Sequence, residues 1–284
     1  MQNWPEEVQE LVRLALREDI GSGDITTEAI YSGNENGTAR LVARQDGVLA
    51  GIDLVSYILE QVSRDVVFRS SLRDGEPLAP GMEIALLEGP LAPVLSAERT
   101  LLNFLQRMCG IATRTRAYTQ KLAYTRTKIL DTRKTVPGHR YLDKMAVRIG
   151  GGTNHRMRLD DRFLIKENHI RMAGGISNAI TACTNYRNRR NTDLAIEIEV
   201  TTLGELEEVI THGGVEYVML DNMDLSAMKR AVSLVQRRFF TEASGNVTLD
   251  KLPAIAETGV DFISSGALTH SVPAMDISLL VDLH

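Results

Sequence analysis

Apolar residues recur at helical spacing from Val8 through Leu11, Val12, Ala15 and Leu16, which predicts an amphipathic first helix with one face on a core. Asn3 can cap this helix and Pro5 suits its first turn, where no backbone N–H is needed. Gly21-Ser22-Gly23-Asp24 ends it. From 38 to 50, apolar and polar residues partly alternate around Asp46-Gly47, the pattern of a hairpin. A helix is expected over 52–63, followed by short strands broken by Asp74-Gly75, Pro80-Gly81 and Gly89-Pro90 as far as about residue 95. The next helix begins near Ala97 and sets Leu101, Leu102, Leu105 and Met108 on one side. Arg114 and Arg116 fall on a face of the same helix. These elements read as an N-terminal lobe of mixed helix and strand.

Beyond residue 126 short apolar runs at 129–130, 163–165, 194–200, 217–220, 239–243 and 262–264 alternate with amphipathic stretches. Such alternation predicts a parallel sheet with right-handed crossovers. The residues just after each run are Asp131-Thr132-Arg133-Lys134, Lys166-Glu167-Asn168-His169, Glu199, Asp221-Asn222, Ser244-Gly245-Asn246 and Ser265-Gly266. A (β/α) barrel collects its active site at the C-terminal ends of its strands, where these polar groups fall. An open doubly wound sheet uses mainly one switch point, and no Gly-x-Gly-x-x-Gly follows an early strand here. The expected fold is therefore α/β, with the N-terminal lobe over 1–110 and an incomplete barrel over 111–270. Residues 271–284 are expected to pack back on the lobe.

Length and composition agree: 284 residues suit two domains, and 43 % apolar residues supply a core. No apolar run reaches the roughly 18 residues that span a bilayer. The start, Met1-Gln2-Asn3-Trp4-Pro5-Glu6-Glu7, lacks the apolar centre of a secretion signal. Cys109 and Cys183 match no metal spacing and read as reduced thiols, so the expected compartment is the cytoplasm. His139, His212 and His270 share no metal spacing either.

Charge changes the picture more. The segment 126–171 holds 12 Lys or Arg against 5 Asp or Glu, a surplus of +7, so the remainder carries −12 of the net −5. A nucleic-acid binder usually spreads its basic surface more widely, and aromatic residues are only 5 % of the chain. A local trap for a small anion fits better, with a solvated charged face as the alternative. Arg133, Lys134, His155, Arg156 and Lys166 form the candidate cationic set; inward cations would repel one another without an anion among them. Gly150-Gly151-Gly152 either stops a helix or lets Asn154-His155-Arg156 approach a ligand.

Two Ser-Gly segments follow the last strands, Ser244-Gly245-Asn246 and Ser265-Gly266-Ala267. Glycine-freed backbone N–H groups there suit phosphate, although each could be an ordinary turn. Glu199 and Asp221 end neighbouring strands and face one pocket. Such a pair suits Mg²⁺ shared with phosphate oxygens, general acid–base work, or salt bridges to nearby cations.

Four segments, Asp131-Thr132-Arg133-Lys134-Thr135-Val136-Pro137-Gly138, Gly150-Gly151-Gly152-Thr153-Asn154-His155-Arg156, Leu164-Ile165-Lys166-Glu167-Asn168-His169 and Met219-Leu220-Asp221-Asn222, resemble the quinolinate phosphoribosyltransferase family, also called decarboxylating nicotinate-nucleotide pyrophosphorylases. The resemblance runs in order along nearly the whole chain. It includes Gly23-Asp24-Ile25-Thr26-Thr27, Glu98-Arg99-Thr100-Leu101-Leu102-Asn103, Glu242-Ala243-Ser244-Gly245 and Gly266-Ala267-Leu268-Thr269-His270-Ser271. Val136, His139 and Ser265 depart from the family pattern without removing a proposed catalytic group.

The resemblance implies an α/β sandwich lobe, an incomplete α/β barrel and a cytoplasmic homodimer or higher oligomer. It implies transfer of phosphoribosyl from phosphoribosyl pyrophosphate to quinolinate with Mg²⁺, giving nicotinate mononucleotide, pyrophosphate and CO₂. By the same matching, Arg99 enters the neighbouring subunit's site, and Arg133, His155, Arg156 and Lys166 hold the quinolinate carboxylates. Thr132, Lys134, Glu199, Asp221, Ser244, Gly245, Asn246, Ser265, Gly266 and Ala267 engage phosphoribosyl pyrophosphate, with the metal at Glu199 and Asp221. Lys134, Lys166, Glu199 and Asp221 are the expected catalytic groups. Three rivals remain: a phosphoribosyltransferase of this fold with another acceptor, a lyase forming a Schiff base on Lys166, and a non-catalytic polyanion binder.

Overall fold

The structure is a computed structural model and describes residues 3–31 and 35–283. The chain forms two compact units that interleave along the sequence. The first comprises residues 1–116, 135–151 and 269–284, and the second 117–134 and 152–268.

In the first unit, helix α1 (Glu6–Ile20) buries Val8, Val12 and Leu16, each worth about 1.5–3 kcal/mol in apolar burial. Asp24 caps α2 (Ile25–Ile30), its Oδ1 accepting from Thr27 N at 3.0 Å. The strands are β1 (Asn36–Ala43), β2 (Gly47–Val48), β3 (Val67–Arg69), β4 (Pro77–Leu78) and β5 (Glu83–Pro90). Helix α3 (Ile52–Val62) lies between β2 and β3 in the chain, and the long α4 (Leu91–Lys121) follows β5.

The expected hairpin around Asp46-Gly47 is not formed. β1 pairs antiparallel with β5 and with a strand near the far end of the chain, Ile277–Leu283 (β12 in chain order), while β2 pairs with β4. The alternating apolar face of β1 is satisfied by these distant partners, giving the order β12-β1-β5-β3. Helix α5 (Arg140–Ile149) also belongs to this unit. Its Asp143, fully buried, receives Arg107 Nε and Nη2 from α4 at 2.8 and 2.7 Å. The helix stops at Gly150, where a Cβ would collide with Ala112 O and Thr115 of α4; the helix-stop reading of that glycine run holds.

The second unit is a parallel sheet in the order β6 (Lys128–Leu130), β11 (Phe262–Ser264), β10 (Phe240–Ser244), β9 (Tyr217–Asp221), β8 (Ile196–Val200), β7 (Phe163–Ile165). All six strands fall where the apolar runs place them. The crossovers include α6 (Glu167–Ala173), α7 (Ile176–Arg190), α8 (Leu203–His212), α9 (Leu225–Val235) and the short α10 (Leu252–Ala256). Thr202 and Glu205 close a capping box at the start of α8.

The sheet curls, as one contact proves. Thr153 bridges Leu130 on β6, so the following His155 starts from that edge. β6 and β8 have three strands between them, roughly 19 Å apart in a flat sheet. Yet His155 Nε2 lies 3.0 Å from Glu197 Oε2 on β8 and 3.5 Å from Glu242 Oε2 on β10. Only a barrel interior brings these groups together. β6 and β7 do not pair with each other among the described residues, so the barrel is incomplete.

Candidate active site

The strand registers set which side chains share the inner face. Glu197 and Glu199 of β8 are two residues apart, as are Met219 and Asp221 of β9 and Glu242 and Ser244 of β10. Glu199 aligns with Met219, and Asp221 aligns with Ser244. Asp221 and Ser244 thus share the uppermost level at the C-terminal ends, Glu199 and Glu242 lie level with Met219 one step below, and Glu197 lies a step further down. The residues following β6, β7 and β11, namely Thr132, Arg133 and Lys134, then Lys166, then Ser265, Gly266 and Ala267, lie at the same end.

The cations and carboxylates meet there. Lys166 Nζ sits 2.7 Å from Glu199 Oε2, with the lysine side chain 48 % exposed. Arg156 Nη1 donates to Arg162 O at 3.1 Å, which holds its guanidinium in place. Burial pushes the Arg156 guanidinium pKa down, and the like charge of Arg133 pushes it further. Arg133 Nε is buried with no hydrogen-bond partner among the described residues. Two crowded guanidiniums with an unused donor favour an anion between them. Lys134 is exposed, and its backbone N–H donates to Thr132 Oγ1 at 3.0 Å, which shapes the turn after β6.

The loop ends of β9 and β10 are stitched together. Asn222 N donates to Ser244 O at 2.9 Å, Asn222 Nδ2 to Asp221 Oδ2 at 2.8 Å, and Asn246 Nδ2 to Asn222 Oδ1 at 3.2 Å. Gly245 has φ +97°, and a Cβ there would overlap the Asn222 carboxamide, so the turn needs glycine. Beyond it comes a single 3₁₀ turn at Leu249–Lys251 before α10, and after β11 another at Gly266–Leu268. The N–H groups on offer are therefore those of the turns, in place of a long helix N-terminus.

His155 departs from its expected place. It is only 7 % exposed; its Nδ1 accepts the Arg156 backbone N–H at 2.7 Å, and Nε2 faces Glu197 and Glu242 inside the barrel. The ring lies under the rim, behind Arg156. Sequence reasoning missed Glu197 and Glu242, both fully buried. The available signal was a carboxylate two residues before Glu199 and before Ser244, within otherwise apolar runs. Arg99 is exposed on α4 of the first unit.

A cavity of about 1050 Å³ opens at the opposite end of the strands, lined by Tyr124, Arg126, Arg237, Phe240 and Asp261. It holds none of the predicted groups, and parallel barrels work from the other end. Cys109 is buried and Cys183 half-buried, both as free thiols.

The sequence model described as "Quinolinate phosphoribosyl transferase, C-terminal domain" matches residues 111–280, and that of the N-terminal domain matches 24–109. The chain is 43 % identical, over 96 % of its length and 81 % of the relative's, to a Nicotiana tabacum protein named quinolinate phosphoribosyltransferase (decarboxylating) 1b. Among solved structures it is similar to NadC from Streptococcus pyogenes, with TM-score 0.94 and 35 % identity over 100 % of this chain and 99 % of that one. It is likewise similar to the nicotinate-nucleotide pyrophosphorylase from Francisella tularensis, with TM-score 0.93 and 40 % identity over 99 % and 98 % of the two chains.

Proposed function

The chain belongs to the quinolinate phosphoribosyltransferase family, and from that premise we propose how its strand-end residues divide the reaction. The enzyme transfers phosphoribosyl from phosphoribosyl pyrophosphate to quinolinate with decarboxylation, a step of NAD biosynthesis. The observation that carries the residue assignment is the crowding of Arg133 and Arg156, at the strand ends that also hold the Lys166–Glu199 pair and Asp221.

Arg133, Arg156 and Lys166 hold the two carboxylates of quinolinate, and His155 supports Arg156 from behind. Lys166 already uses one donor on Glu199, and its remaining N–H groups serve the acceptor. Lys134, Thr132 and the turns Ser244-Gly245-Asn246 and Ser265-Gly266-Ala267 cradle the phosphates. The ring nitrogen bonds to ribose C1 as the C1–O bond to pyrophosphate breaks, the leaving group keeping that electron pair. Glu199 and Asp221 favour the positive charge that develops on the sugar, and Lys134 neutralises the departing pyrophosphate.

When the carbon adjacent to the new pyridinium nitrogen loses CO₂, the electron pair of the broken bond stays on that carbon, stabilised by the neighbouring positive charge, and then takes up a proton. This second step needs fixed orientation more than a base.

Glu199 and Asp221 also fit Mg²⁺, being hard oxygen donors at a rim too sparse for an all-protein cage. When bound, Mg²⁺ supplies charge neutralisation on the pyrophosphate. Arg99, exposed on α4, completes the site of a second copy in a homodimer. No helix among the described residues is long and apolar enough to cross a membrane. With two free thiols, the enzyme is assigned to the cytoplasm, with no membrane or nucleic-acid partner.

The test is product formation from quinolinate, phosphoribosyl pyrophosphate and Mg²⁺, with nicotinate as a competing acceptor. Equal amounts of CO₂ and nicotinate mononucleotide are expected. Turnover of nicotinate alone would leave the phosphate side standing and overturn the assignment of the cationic pocket.

A further inference from the structure

Below the rim lies a cluster that the reaction as described does not use. His155, Glu197 and Glu242 present ligand atoms within 4.8 Å of one another, and both carboxylates are fully inside the barrel. Glu197 Oε1 and both Glu242 oxygens are buried without a hydrogen-bond partner among the described residues. Carboxylates do not remain in such a place without a compensating role, because leaving a buried polar group unmatched is costly.

A divalent cation is one candidate occupant, and the histidine argues against it. His155 Nδ1 accepts the Arg156 N–H, so the neutral ring carries its proton on Nε2, the atom that faces the two carboxylates. A nitrogen bearing a proton does not ligate a metal. Nε2 lies in close contact with Glu197 Oε2 at 3.0 Å and with Glu242 Oε2 at 3.5 Å.

Two routes lead from Glu197 to Arg156. One oxygen, Oε2, lies 3.0 Å from His155 Nε2 and 3.3 Å from Arg162 Nη1. His155 Nδ1 receives the backbone N–H of Arg156 at 2.7 Å, and the carbonyl of Arg162 receives its guanidinium Nη1 at 3.1 Å. Arg162 is held further by lying 4.3 Å above the Tyr217 ring. Asp131 secures the other end of His155, accepting its backbone N–H at 2.8 Å. Both ends of Arg156 thus trace back to one buried carboxylate.

We infer that Glu197 and Glu242 are positioning residues of the acceptor pocket, which from inside the barrel fix the His155 ring and the Arg162 side chain and so aim Arg156 at the substrate. The inference rests on the reading of that pocket given above. Glu242 resists ionisation: burial pushes its carboxyl pKa well above the ordinary range, and the charge of Glu197 raises it further. A carboxyl that resists ionisation beside a carboxylate limits like charge in the interior, where it would loosen the hold on Arg162.

The experiment compares Glu197→Gln, Glu242→Leu and Glu242→Gln with the unmodified enzyme. It measures kcat, KM for quinolinate, KM for phosphoribosyl pyrophosphate, thermal unfolding and bound metal. Glu197→Gln and Glu242→Leu are expected to raise KM for quinolinate by roughly ten-fold or more while leaving that for phosphoribosyl pyrophosphate within about two-fold. Glu242→Gln, which keeps the shape and introduces no charge, should recover quinolinate KM to within about three-fold of the unmodified enzyme.

A purely structural role would lower the melting temperature and move both KM values together, which would overturn the inference. So would a Glu242→Leu enzyme with unchanged KM, a Glu242→Gln enzyme as impaired as Glu242→Leu, or a stoichiometric metal lost on Glu242→Gln. If Glu197→Gln does not fold, the two Glu242 variants still decide the matter. An unmodified enzyme with no quinolinate turnover would fail before any variant is made, which separates failure of the reaction from failure of the positioning.

Discussion

Replacing Gly245 by alanine perturbs the phosphate side of the site at one atom. Two costs add. The residue sits at φ +97°, where an L side chain is strained by about 1–3 kcal/mol. The new Cβ would also overlap the Asn222 side chain and lie 3.0 Å from its backbone nitrogen, so Asn222 must move. Its moving breaks the bonds to Asp221 Oδ2 and from Asn246 Nδ2, both solvent-exposed and together worth about 1 kcal/mol. The sum, roughly 2–4 kcal/mol, corresponds to a drop of about 4–16 °C in the melting transition at 2–4 °C per kcal/mol. Because Asp221 is released, KM for phosphoribosyl pyrophosphate should rise more than KM for quinolinate.

Thermal unfolding and steady-state kinetics with each substrate varied would check both parts. The double variant with Asn222→Ala removes the side-chain overlap but keeps the backbone strain and the close backbone contact, so it should recover part of the stability. An unchanged melting temperature in Gly245→Ala, or a double variant no better than the sum of the singles, would refute the account of this turn.

Two further outcomes are expected. Lys166→Ala should abolish turnover with an unchanged melting temperature, since its exposed pair with Glu199 is worth at most about 1 kcal/mol; normal kcat would remove Lys166 from the mechanism. Arg107→Ala should destabilise the first unit by about 3–5 kcal/mol, because fully buried Asp143 loses its two guanidinium donors; denaturant titration would show it, and a loss below about 1 kcal/mol would contradict the geometry.

The barrel strands were legible because each is a short apolar run between turn residues, with partners determined by a local βαβ pattern. The N-terminal sheet was not, because the alternation in β1 looks the same whether its partner is five residues away or more than two hundred. The site was legible in its residue types and in their placement at strand ends. Its orientation was not: nothing in the letters shows that the His155 ring turns inward, since that depends on carboxylates from β8 and β10 meeting across a curled sheet. Glu197 and Glu242 went unread for the same reason, being carboxylates inside runs that otherwise signal core.

The pairing of β12 with β1 has a consequence for the order in which the enzyme is made. Residues 36–43 leave the ribosome long before residues 277–283 exist, and until then β1 pairs on only one side. Throughout most of synthesis the nascent first sheet therefore presents an unpaired strand edge, the kind of surface that recruits other chains. A nascent chain stalled after the barrel but before β12 would keep this edge open, making it a natural point for chaperone attachment and for aggregation when synthesis is cut short.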